Sequence, residues 1–164
     1  SEKIREIILD KSNGEMFDLT ELLLFAASRA QHVNEKILPA IARGAVVICD
    51  RFDAATISFQ HYARGLDLKT INAINDIAKG GFQPDMNIIL DLDPVVGLSR
   101  VRGRGDKLDR MEDEQMDFLI KARDGYLAQA KQSPEIFTVI DASKSKEDVA
   151  KDVIDCVSKL ISNR

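Results

Sequence analysis

A chain of 164 residues, 45% hydrophobic and 30% charged, can bury one core and has the composition of an ordinary globular domain. Its formal net charge of -4 argues against a nucleic-acid footprint, and no apolar run approaches the roughly 18 residues of a membrane span. Residues 1–10 already read as a charged amphipathic helix, not a signal peptide, and Cys49 and Cys156 stand in unlike contexts as reduced thiols of a cytoplasmic protein.

In chain order, a short helix is predicted over 2–10, ended by the turn-prone Lys11, Ser12, Asn13 and Gly14. Asp18 is expected to cap a long helix running to about Arg43. Gly44 stops it, and Pro39 should bend or break it. Strands are predicted at 45–50, 86–93 and 136–141, each a continuous apolar run ending in Asp, as in strands buried on both faces. Helices near 54–62, 67–79, 94–102, 112–131 and 146–162 alternate with them. The pattern predicts a single α/β domain over 1–164, a parallel sheet flanked by helices on both faces. Three strands make a thin sheet for so many helices, and the chain opens on a helix, so the sequence is expected to start inside a fold whose first strands are missing.

Four stretches could carry chemistry. In LTELLLFAASRAQHV, residues 19–33, Leu19, Leu22, Leu23, Ala26, Ala27 and Ala30 form one stripe, with Phe25 and Arg29 together off it. That flank is either a second packing face or an aromatic platform beside a fork of donors, suited to a planar base. Asp50 and Arg51 end the first predicted strand. They either neutralise each other at the surface or meet a ligand, because ligands of open parallel sheets sit at carboxyl ends of strands. Thr56, Phe59 and Gln60 then share a helix face: polar residues around a core ring, or the lining of a heterocycle pocket. Finally, Arg100, Arg102, Arg104 and Arg110, with Gly103 and Gly105 among them, form either a solvated charge run or a lid over phosphates at about 100–110. His32 and His61 have no metal-ligand spacing around them, and no Gly-x-x-x-x-Gly-Lys-Ser/Thr loop occurs.

The segments SEKIREIILD, ELLLFAASRAQHV, ILPAIARGAVVICDRF, TISFQHYARGLD, QPDMNIILDLDPVVGLSRVRGRG, LDRMEDE and VIDAS follow one another in the order found in bacterial thymidylate kinases. Along essentially its whole length the chain resembles that family of P-loop nucleoside monophosphate kinases. The resemblance implies a three-layer α/β/α fold of the P-loop NTPase type, whose phosphate-loop unit precedes the first of these segments. It implies transfer of the γ-phosphate of ATP to dTMP, giving dTDP for dTTP synthesis, with Mg2+, in a cytoplasmic homodimer formed through the long helices. By position, it assigns Phe25 to stacking on thymine and Arg29 to the thymine O4. Thr56 and Gln60 fall at the base's polar edge and Phe59 beside the deoxyribose. It gives Arg51 to the monophosphate, Asp50 to Mg2+ through water, and Arg100, Arg102 and Arg104 to the lid that neutralises the transferring group. The loop carries one residue more than the family pattern around Asp106 and Lys107. The rival readings are another deoxynucleotide or deoxynucleoside kinase, and a non-catalytic nucleotide-binding paralogue without a phosphate loop. On this reading residues 1–164 alone are expected to bind dTMP better than they transfer phosphate, because the backbone cradle for the phosphates of ATP is not among them.

Overall fold

The computed structural model describes residues 1–103 and 114–162. Helix α1, Glu2–Leu9, buries Ile8 completely and ends in a tight turn, where the Asp10 carboxylate accepts from the Ser12 N–H at 2.8 Å. Helix α2 spans Asp18–His32. Its cap is Phe17, with no side-chain hydrogen bond, so Asp18 is not the cap expected. It lies in the first turn, where its charge favours the positive end of the helix dipole.

Pro39 acts as anticipated. It has no N–H to donate, and its ring would crowd the carbonyl four residues back. The helix accommodates this with a wide π-helical turn, Val33–Ile37, and resumes as α3, Leu38–Ala42. Gly44 then takes φ 77, which closes the helix.

Residues 45–50 do not form the predicted strand. Val46 and Ile48 are 63% and 87% exposed, and no strand pairs with the run among the described residues. Apolar β-branched side chains favour extended backbone, but a strand exists only where a ladder partner accepts it. Helix α4, Asp53–Thr56, then runs into a second π-helical segment, Ile57–Ala63. Helix α5, Leu68–Lys79, is capped by Asp67, which accepts from the Thr70 N–H at 2.8 Å, and is closed by Gly80 at φ 58.

The remaining elements are β1, Asn87–Asp91; α6, Pro94–Gly103; α7, Met116–Gln132; β2, Phe137–Asp141; and α8, Lys146–Ser162. The two strands are parallel and in register from Asn87 opposite Phe137 to Asp91 opposite Asp141. Both lie within two residues of the predicted bounds. Ile89 is buried while its partner Val139 is open, and Ile140 is buried while its partner Leu90 is open. Each sheet face is therefore half covered, and α7 and α8 both pack on β2.

Ile8, Leu22 and Ile71, all fully buried, come from α1, α2 and α5, which pack as one helical group. Each burial contributes about 1.5–3 kcal/mol. Helix α7 joins that group to the sheet. It lies so close to the Ile57–Ala63 segment that a Cβ on Gly125 would come within 2.8 Å of the Tyr62 ring and 3.0 Å of the Ser58 Cα. Beside this contact, Gln129 Nε2 donates to the Ala54 carbonyl at 3.1 Å and to Ser58 Oγ at 3.0 Å. At the sheet's carboxyl end, Arg123 of α7 grips Asp91 with both arms of its fork, at 2.6 and 2.9 Å. This hydrogen-bonded pairing holds the Asp91 carboxyl below its ordinary 3.8.

Gly125→Ala gains about 1 kcal/mol of helix propensity but meets an overpacking penalty of about 1–3 kcal/mol, because one of the atoms in its way is backbone. Urea unfolding is expected to show a net loss of stability; an unchanged midpoint would mean that the helices separate freely. For Asp91→Asn the sign follows from linkage: a carboxyl lowered in the folded state stabilises fully above its unfolded value, and that stability fades as pH falls through the folded one. The melting-temperature gap between wild type and Asp91→Asn is therefore expected to be open at neutral pH and to close below 3.8. A gap independent of pH would leave the ion pair no part in it.

Candidate functional site

The chain leaves α3 and passes through residues 45–50 toward the carboxyl end of β1, although it is not a strand there. Asp50, Arg51 and Phe59 line a cleft of about 520 Å³ together with Asp91 and Leu92 from the end of β1. The wall is completed by α6 and α7. A parallel sheet opens its ligand crevice at this end, because the connecting loops diverge there.

Arg51 holds φ 64, the one non-glycine residue with positive φ among those described. This left-handed conformation costs an L-residue about 1–2 kcal/mol. It turns the guanidinium over the Phe59 ring, 5.3 Å from its centroid. Phe59 stacks on Phe118 at 5.7 Å and meets Tyr126 edge-on at 6.2 Å, so this cation is aimed by an aromatic floor. Burial pushes the Tyr126 phenol up to about 12, leaving it a neutral donor at ordinary pH. Next to Arg51, Cys49 donates its S–H to the Arg51 carbonyl at 3.3 Å, and burial raises its thiol further from ionisation.

The other predicted residues form a separate, buried polar group. Arg29 Nη1 donates to Asn75 Oδ1 at 2.6 Å, while Nη2 donates to Thr56 Oγ1 at 2.5 Å and to the Phe52 carbonyl at 3.2 Å. Its guanidinium also lies 5.5 Å from the centre of the Phe52 ring. Burial lowers the affinity of Arg29 for its proton, partly offset by Asp53. Arg29 and Thr56 therefore touch directly and do not face each other across a cavity. Three of the five guanidinium N–H groups are taken up by described residues, which leaves two donors uncommitted to them. Gln60 is fully buried, its Nε2 donating to Glu21 Oε1 at 2.5 Å. Phe25, half-buried on α2, lines neither this group's hydrogen bonds nor the cleft.

Of the lid arginines, Arg100 is exposed and donates to the Ala142 carbonyl at 3.1 Å, just beyond the end of β2, and is not among the residues lining the cleft. Arg102 belongs to α6, and Arg104 and Arg110 lie outside the described residues. Three cleft residues escape the sequence patterns. Arg5 of α1 lines the cleft with Arg123 and Tyr126 of α7. Arg5 sits in a charged helix with nothing to mark it. Arg123 and Tyr126 stand three apart on one helix face, a spacing that marks a face without saying what it meets. Among the described residues no group of three or more His, Cys, Asp or Glu could hold a metal ion directly. Asp50, exposed in the lining of the cleft, suits a cation that keeps its own water.

The chain matches the family pattern described as thymidylate kinase over residues 1–153. It is 47% identical over 148 residues to the thymidylate kinase of Geobacter sp. strain M21, covering 87% of this chain and 66% of that protein. To that of Pseudomonas putida it is 42% identical over 153 residues, covering 93% and 72%. To that of Thermoanaerobacter sp. strain X514 it is 44% identical over 160 residues, covering 98% and 77%. The chain thus spans about two thirds to three quarters of these relatives. With Arg51 lining the cleft at the carboxyl end of β1 and this likeness running over residues 1–153, the chain belongs to the thymidylate kinase family.

Proposed function

We propose that this protein transfers the γ-phosphate of ATP to dTMP, giving dTDP. The observation that carries the reading is Arg51, held in a left-handed backbone at the mouth of a cleft at the carboxyl end of β1, in a chain of this family. Such strain persists only where the surroundings enforce it, and here it aims a fixed charge into the crevice.

The chain's own residues supply binding and alignment. Arg51 clamps the monophosphate, with Arg5 beside it as a second cation of the cleft. Phe59 and Tyr126 wall the deoxyribose. Phe25 stacks on thymine, and the two uncommitted donors of Arg29 are the ones open to O4, with Thr56 holding the guanidinium in place. A donor at that point rejects cytosine, whose amino group would oppose it. The acceptor oxygen of a phosphate is already anionic, so no strong general base is required, and catalysis reduces to positioning and charge neutralisation. Mg2+, when bound, neutralises phosphate charge, and Asp50 would hold it through water. Arg100, Arg102 and Arg104 are assigned to a closing lid. For Arg100 this requires exchange of the Ala142 carbonyl for a phosphate.

Leu19, Leu23, Leu38 and Ile41, from 39% to 50% exposed, give the long helices an apolar surface that suits a homodimer. Two free cysteines suit the cytoplasm, and among the described residues no helix is long and apolar enough to cross a membrane.

The test is ADP formation by the purified protein with a panel of nucleoside monophosphates, where dTMP is expected to be preferred over dCMP. Equal rates across the panel would remove the assignment. Phe25→Ala is expected to weaken dTMP binding by about 1–3 kcal/mol, the range for one lost base–aromatic stack, and calorimetry showing no change would make the ring ordinary packing.

A further inference from the structure

Gln60 has a carboxamide with two chemically opposite ends, and only one of them is satisfied. Its Nε2 donates to Glu21 Oε1 at 2.5 Å, while its Oε1 is buried with no hydrogen-bond partner among the described residues. The orientation follows from the chemistry of the neighbour. Glu21, 1% exposed, faces the Arg64 fork, whose Nε and Nη2 donate to its two oxygens at 3.0 and 3.2 Å. A carboxylate can only accept, so it holds the amide's N–H2 and would repel the amide's oxygen. Arg64 is itself fixed from several sides: Nη2 donates to Glu114 at 2.7 Å, Asp18 lies 3.5 Å from Nε, and the guanidinium sits 4.8 Å from the centre of the Phe118 ring.

We infer that Glu21 is a positioning residue that sets which pyrimidine is read, by locking the Gln60 carboxamide with its oxygen left as a buried acceptor. An unpaired buried acceptor is costly unless a ligand supplies the donor. The imide N3–H of thymine is such a donor. The N3 of cytosine is an acceptor and would meet the oxygen unfavourably. Polarity is thus passed from Arg64 to Glu21 to Gln60 to the base. The inference rests on the proposed placement of the base at Gln60.

The experiment is calorimetry of dTMP, dCMP and 3-methyl-dTMP, whose N3 carries no hydrogen, with the purified wild type and the Glu21→Gln variant. An amide at position 21 can pair with Gln60 in either orientation, so the lock is lost while the size is kept. The preference for dTMP over dCMP is expected to fall about tenfold in Glu21→Gln, the step that one ordinary hydrogen bond makes in an equilibrium constant. A preference unchanged from wild type, or affinities lowered equally for all three nucleotides, would overturn the inference and leave Glu21 a structural residue. Should Glu21→Gln not fold, as judged by circular dichroism, the wild type decides: a clear loss of affinity for 3-methyl-dTMP supports the acceptor orientation, and equal binding of it and dTMP overturns it. Gln60→Leu separates the two layers. If that variant binds dTMP as wild type does, the placement of the base at Gln60 fails, whatever Glu21 does.

Discussion

The close approach of α7 to the Ile57–Ala63 segment is the constraint on which the rest of the molecule depends. Only a glycine at 125 lets the two backbones come together, and Gln129 then reaches the Ala54 carbonyl and Ser58 across the gap. Through this contact one helix fastens the α1–α2–α5 group to the two-stranded sheet. It also brings the Phe59 ring against Phe118 and Tyr126, forming the floor over which Arg51 is held. On the far side, the bond from Arg123 to Asp91 pins α7 to the sheet's carboxyl end. Fold and cleft are consequences of one seam.

Beneath that cleft the interior is polar where a small domain would ordinarily place aliphatic side chains. Glu21, Arg29, Thr56, Gln60, Asn75 and Lys79 are all buried. Most are satisfied: Lys79 reaches Asp53 at 2.6 Å and Gln83 at 2.9 Å, and Arg29 reaches three groups. Asn75 Nδ2 and Gln60 Oε1 have no partner among the described residues. Buried ion pairs are weak evidence of stability, since apolar replacements often serve as well. A network of fixed donors and acceptors with one of each unpaired among the described residues is the arrangement that the proposed recognition of a polar ligand would use.

Much of this was legible in the sequence, and the failures have physical reasons. The strands at Asn87–Asp91 and Phe137–Asp141 were readable because their continuous apolar runs find each other as partners. Residues 45–50 carry the same signal and no ladder, because side-chain composition does not report whether a neighbour is present to accept the backbone. The off-stripe position of Arg29 and the shared face of Thr56 and Gln60 singled out side chains that the fold buries as polar groups. Periodicity could not tell that Arg29 and Thr56 would be bonded to each other, nor that Asn75, 46 positions away from Arg29 in sequence, would complete the arrangement. Arg5, Arg123 and Tyr126 reach the cleft only through tertiary packing, and no local pattern announces that. The two π-helical turns were equally hidden, although Pro39 pointed to one of them.

The left-handed backbone at Arg51 has a consequence for how this sequence can vary. Glycine would relax that position, and asparagine would tolerate it, so either substitution is a candidate for raising the melting temperature. Neither brings a cation to the cleft. A search for thermostable variants would therefore favour changes at position 51 that strip the cleft of this charge, and thermostability gained there would come at the expense of the proposed phosphate clamp.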